Sequence, residues 1–114
     1  MHQAPWERHY DVAVIGGGLC GVAAALRAAQ EGKQALLVER RTALAWEVTW
    51  ALEGLGEPSG RPEGALARGL MERMEAMGGY RRGRLDAVIL ELLLGRLLEE
   101  FGVDLLLYST PVRL

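Results

Sequence analysis

Hydrophobic and polar positions along the chain change period several times, and each change marks an element. Residues 12–15 (Val-Ala-Val-Ile) are a short unbroken apolar run, the composition of a strand buried in a parallel sheet. The expected strand spans residues 10–15. After a glycine-rich turn come Ala23, Ala24, Ala25, Ala28 and Ala29, small residues that suit a helix lying close on that sheet, with Gly32 as its C-cap. Ala35, Leu36, Leu37 and Val38 form a second apolar strand, and Glu39 stands at its carboxyl end. Farther on, Leu66, Leu70, Met74 and Met77 recur at helical spacing and predict a helix over 65–77. Its methionines read as core filling. Gly78 and Gly79 end it, and residues 80–84 read as a basic connector. A strongly apolar helix is expected over 85–101, capped by Gly102, with a third strand at 103–108.

The intervening stretch is less regular. Residues 44–52 fit either a short helix or an extended strip, with Trp46 and Trp50 on one face if helical. Core or interface anchoring is the plainer reading of both tryptophans, and stacking near a cofactor the sharper one. Residues 54–64 (GLGEPSGRPEG) read as a loop by glycine and proline content.

The glycine turn carries the chemistry. Gly16, Gly18 and Gly21 follow the spacing G-x-G-x-x-G, with Gly17, Leu19 and Cys20 at the variable positions. Gly16 lets the chain turn sharply out of the first strand. Gly18 has no β-carbon to keep a pyrophosphate from the backbone, and Gly21 lets the helix approach the sheet. The helix N-terminus then offers unpaired N–H groups and the positive end of its dipole to phosphates. Glu39 lies where a ribose would, and can accept hydrogen bonds from its hydroxyls. A glycine turn alone is a weak signal. Strand, turn, helix, strand and carboxylate in this order make dinucleotide binding the preferred reading, against the bland one of a turn without a nucleotide.

Gly16-x-Gly18-x-x-Gly21-x-x-x-Ala25, then Gly32, then Glu39, resembles the FAD-binding signature of the glutathione-reductase-like flavoproteins. The resemblance implies that residues 16–21 cradle the pyrophosphate and that Glu39, followed by Arg40, binds the adenosine side. It also implies that the residue just past the third strand, Val112 here, meets the adenine through its backbone. Those flavoproteins often carry a Gly-Gly pair in the neighbourhood where this chain reads Ala-Leu-Ala-Trp-Glu over 43–47. The match is firm over 11–39, moderate over 85–114 and poor over 40–84. NAD(P) is the alternative cofactor, since it shares the turn and the acidic residue. A 2′-phosphate would be met by Arg40 or Arg41, but Glu39 would repel it.

Composition narrows the function classes. The chain has 114 residues, half of them apolar, enough for one domain with a real core. A formal net charge of −2 gives no electrostatic reason to bind nucleic acid or an anionic membrane. Arg40-Arg41 and Arg81-Arg82 are too short for a nucleic-acid patch. The N-terminal residues lack a signal-peptide core, and residues 87–98 are too short to span a bilayer, so a cytoplasmic protein is expected. Cys20 is the only cysteine, which removes disulfide-reductase chemistry and any cysteine-rich metal site. A redox role for a thiol at a helix N-terminus is conceivable, but a small residue beside the phosphate is the plainer reading. His2 and His9 have no spacing that makes a metal site.

The expected fold is α/β, a three-layer Rossmann-like FAD/NAD(P)-binding fold in incomplete form, with three parallel strands in the order 3-2-1. Its parts are a leader (1–9), the dinucleotide-binding βαβ unit (10–39), a loop and helix (40–84), and a helix with the third strand (85–114). The resemblance implies further strands, a Gly-Asp segment at the flavin's ribityl end and a substrate domain, none of which lies within these residues. The chain is therefore read as the N-terminal portion of a flavoenzyme, with catalytic residues unassigned. The open edge of the first strand would then meet a partner chain or a second copy. A non-catalytic nucleotide-binding or interaction module is the alternative.

Overall fold

The computed structural model describes residues 7–50 and 64–113. In chain order the elements are β1 (Val12–Ile15), α1 (Leu19–Gln30), β2 (Ala35–Val38), α2 (Trp46–Thr49), α3 (Ala65–Ala76), β3 (Tyr80–Arg81), β4 (Arg84–Leu85), α4 (Ala87–Glu100) and β5 (Asp104–Leu106). His2 and most of the expected 54–64 loop lie outside the described residues.

The parallel sheet runs β1-β2-β5, the expected 3-2-1 order, with Val14 opposite Leu37 and Leu37 opposite Leu105. Helices α1 and α4 close over it in a single core. Val22, Ala25 and Leu26 of α1 meet Leu90, Leu94, Leu97 and Leu98 of α4, and Leu37 is fully buried beneath them. Each fully buried leucine stabilises by about 1.5–3 kcal/mol. Alternation along β1 sends Val14 into that core, while Ile15 points the other way and stays 49% exposed.

Helix limits follow local chemistry. At the end of α1, the N–H of Gly32 donates to Ala29 O and that of Lys33 to Ala28 O, the paired bonds of a Schellman cap. At the start of α4, Asp86 accepts from the N–H groups of Val88 and Ile89, a cap worth about 1 kcal/mol.

Sequence expectations shift at several element boundaries and at one connector. The first strand starts at Val12 instead of residue 10, the third keeps only 104–106 of 103–108, and the 65–77 helix stops at Ala76. Met77 is 37% exposed, whereas Met74 is fully buried, so only the upper part of the stripe fills the core. The connector at 80–84 is a hairpin: β3 and β4 pair antiparallel around Arg82 and Gly83, both at positive φ. A two-residue turn of that kind matches strand twist, and Gly83 supplies half of it without strain. Leu85 therefore belongs to β4 and not to the following helix.

The segment before β1 is tied to β5. Arg8 forms an ion pair with Asp104 at 3.0 Å, and the Tyr10 hydroxyl donates to the same carboxylate at 2.6 Å. Desolvation by burial, then the Asp104 hydrogen bond and charge, push the Tyr10 phenol up to about 12. Its unfolded value lies near 10, so the folded state holds the proton longer. The stability this contributes is fully present below about pH 10 and is lost as pH rises toward about 12. In an alkaline absorbance titration, one tyrosine should ionise about 2 pH units late, and Tyr10→Phe should remove that late step.

Among the described residues, no helix is long and apolar enough to cross a membrane.

Candidate nucleotide site

The site forms where β1 and β2 end side by side. Gly16 N–H donates to Val38 O at 2.8 Å, so the turn leaves β1 while still paired to β2. Gly16 then adopts φ +107°, a conformation L side chains avoid. An ideal β-carbon on Gly21 would lie 1.7 Å from Gly16 O, so the first turn of α1 lies directly over the loop it grows from. The close helix approach expected of the third glycine is thus a backbone-on-backbone contact.

Glu39 is 4% exposed and works within the turn. One carboxylate oxygen accepts Gly17 N–H at 2.7 Å and the other accepts Arg41 N–H at 2.9 Å. A carboxylate has about four acceptor positions, and these two bonds fill two of them. The backbone of residues 39–41 is held from the β5 side, since Ser109 N–H donates to Glu39 O and Tyr108 N–H to Arg41 O.

Beyond Glu39 opens a cavity of about 270 Å³ lined by Arg40, Arg41, Thr42, Ala43, Trp46, Trp50 and Tyr108. The Arg41 guanidinium lies 4.2 Å from the Trp46 ring centroid, a cation–π contact. Trp50 is 64% exposed and Trp46 37%, so neither anchors the core. Ligand pockets commonly span about 300–1,000 Å³, so this cavity lies just below that range.

The region read poorly from sequence contributes most here. Ala45 takes a left-handed conformation at φ +50° with its N–H donating to Gly17 O at 2.7 Å, fastening the segment to the glycine turn. Thr49 Oγ1 donates to Leu44 O and Ala45 O, and Val48 is buried in the core. α2 is thereby held over the turn, and the Glu47 carboxylate accepts Leu19 N–H at 2.5 Å. Gly18 offers no side-chain cap to α1, and Glu47 supplies one from 28 residues downstream.

Of the sequence-predicted residues, 16–21, Glu39 and Arg40 gather at this place. Cys20 is exposed in the first turn of α1. Val112 is 97% exposed and lines none of the cavity; Tyr108 is the residue of that segment that does. Glu47 and Tyr108 were not legible as site residues, and Trp46 and Trp50 were legible only as the sharper of two readings. The departure over residues 43–47 from a glycine pair was the available signal that this loop differs.

Residues 11–114 match the FAD dependent oxidoreductase family. The chain belongs to that family. It carries the family's FAD-binding segment. Curated relatives include a component of the anaerobic glycerol-3-phosphate dehydrogenase of Vibrio cholerae, 36% identical over 69 residues, which are 60% of this chain and 15% of that protein. A tRNA uridine 5-carboxymethylaminomethyl modification enzyme of Aliarcobacter butzleri is 38% identical over 73 residues, 62% of this chain and 10% of that protein. The chain thus spans a small part of the length of the relatives it matches. Among solved structures, the THI4 protein of Thermovibrio ammonificans aligns with TM-score 0.55 at 20% identity, over 86% of this chain and 38% of that one. A geranylgeranyl bacteriochlorophyll reductase-like protein of Thermoplasma acidophilum aligns with TM-score 0.53 at 23% identity, over 90% and 31%. At such identities these two structures establish the fold alone.

The features available to the adenosine half of the cofactor are the glycine turn, the buried carboxylate bonded to it and the aromatic-lined cavity that begins at Arg40.

Proposed function

We propose that this chain binds the adenosine part of FAD through Glu39 and the cavity that begins at Arg40. The carrying observation is the buried Glu39 carboxylate, bonded to Gly17 N–H and followed in the chain by Arg40, which lines a cavity with Trp46, Trp50 and Tyr108. Base stacking on such side chains contributes about 1–3 kcal/mol per base. The finer affiliation to glutathione-reductase-like flavoproteins is supported by Ala25, Gly32 and Glu39 standing at the signature spacings. The same spacings favour FAD over NAD(P), and residues 1–114 form the N-terminal part of the FAD-binding domain. The exposed edge of β1 is the place for a further strand, from a partner chain or a second copy. Oxidoreductase activity belongs to the family's whole proteins, and none of the residues named here is assigned a catalytic step.

Two of the three tryptophans line the cavity, so binding is readable as quenching. ADP should quench intrinsic fluorescence saturably, and Gly18→Val should abolish the quench while leaving the circular dichroism spectrum in place. A branched side chain at 18 would meet only the flexible end of Glu47, at 3.2 and 3.3 Å from an ideal β-carbon, but would cover the backbone that a pyrophosphate must approach. Equal ADP binding by both proteins would remove the glycine turn from the site.

A further inference from the structure

We propose that the side chain of Tyr108 is the base-stacking residue of this site, held on the cavity wall by a backbone conformation that costs the fold. The inference rests on the nucleotide reading given above and names the side chain that meets the flat heteroaromatic base.

Tyr108 takes φ +52°, in the left-handed region. An L residue there brings its β-carbon close to the following carbonyl oxygen, a cost that glycine escapes and asparagine largely avoids. A bulky residue at such a φ is an outlier. Here the conformation is imposed by hydrogen bonds on both sides. Tyr108 N–H donates to Arg41 O at 3.1 Å and Ser109 N–H to Glu39 O at 3.1 Å, while Ser109 Oγ donates to Leu107 O. The chain leaving β5 is thereby strapped to residues 39–41, and the bend falls on residue 108.

The ring gives the fold little in return. Tyr108 is 82% exposed, so its side chain buries little apolar surface. A glycine or an asparagine would make the same strap at lower cost. Strain that the fold itself does not use is a pointer to function. What the strap achieves is to put an aromatic residue on the wall of the cavity, which Trp46 and Trp50 also line. Trp46 already carries the Arg41 guanidinium, 4.2 Å from its ring centroid. Of the three aromatic residues, Tyr108 is the one whose backbone is bonded directly to the 39–41 segment that bears the Glu39 carboxylate. The base of a nucleoside is one bond from its ribose, so a ring and a carboxylate held on one strap suit the two parts of one ligand. The base is then met by a side chain, four residues before the exposed Val112.

The test uses the 114-residue chain with ADP as the probe, read by calorimetry, beside urea denaturation of the same proteins. Tyr108→Gly removes the ring and relieves the backbone. It should weaken ADP by about fivefold or more, the loss of one stacked contact, without lowering the urea midpoint. Tyr108→Asn, also at ease at this φ, should do the same. Tyr108→Phe restores the ring and should restore the affinity of the unaltered chain. A lower urea midpoint in both the glycine and the asparagine variants would make the ring a structural one and overturn the proposal. So would a loss in Tyr108→Phe equal to that in Tyr108→Gly, which would assign the contact to the hydroxyl. Unchanged ADP affinity in the glycine and asparagine variants would overturn it as well, and the nucleotide reading would survive. Failure of ADP to bind the unaltered chain removes the nucleotide reading and this proposal together.

Discussion

Gly21→Ala should lower the unfolding free energy by about 3 kcal/mol or more, at or beyond the upper end of ordinary overpacking. The added carbon would lie 1.7 Å from Gly16 O and 2.9 Å from Gly16 C, so backbone would have to yield on both sides. A domain of this kind has about 5–15 kcal/mol of stability in all, so the variant should populate unfolded chains visibly. The sign is diagnostic, because glycine to alanine within a helix ordinarily stabilises. Gly69 in α3 and Gly95 in α4 have nothing within 4 Å of an ideal β-carbon. There the same substitution should add about 0.5–1 kcal/mol. Urea denaturation of the three variants checks both halves. If Gly21→Ala is as stable as Gly69→Ala, α1 does not lie over the turn as described.

Glu39→Ala should be costly in two separable ways. It removes the acceptor of Gly17 N–H and Arg41 N–H inside the protein. Orphaned buried donors should lower stability by about 1–3 kcal/mol. It also removes the acceptor for ribose hydroxyls, which should weaken adenosine by about 1.5–3 kcal/mol, roughly tenfold to a hundredfold or more. A ligand without those hydroxyls separates the two effects. Dideoxyadenosine should bind the unaltered chain weakly and lose little further on Glu39→Ala. If it loses as much as adenosine, Glu39 shapes the turn and does not touch the ribose. Denaturation curves on the same proteins report the structural part independently.

Where an element rests on neighbours in the chain, the sequence was a sufficient guide. Ala35–Val38 as a strand, α1 ended by Gly32, and the glycine spacing from 16 to 21 follow from periodicity and from the backbone conformations only glycine adopts freely. Glu39 at the end of β2 was equally legible, because strand length alone puts it level with the glycine turn. The 3-2-1 order of parallel strands followed from the resemblance to flavoproteins, and the sheet has it.

Tertiary structure decided the rest, through contacts between residues far apart in the chain. The hairpin around Arg82-Gly83 escaped notice because strands of two residues leave no alternation to detect. Arg8 was expected in the leader and Tyr10 in the first strand, and what fixes both is Asp104, more than 90 residues away. The tryptophans at 46 and 50 carry the same hydrophobic signal in a core as on a cavity wall, and only the path of α2 over the turn separates the two. Glu47 is the sharpest case. A glutamate in a short helix has no local property that marks it as an anion for a helix N-terminus 28 residues earlier. The left-handed turn at Ala45 and the burial of Val48 bring it there. Sequence therefore determined that this protein has a glycine turn between two parallel strands with a carboxylate beside it, and folding determined that Glu47 stands over the helix N-terminus that follows the turn.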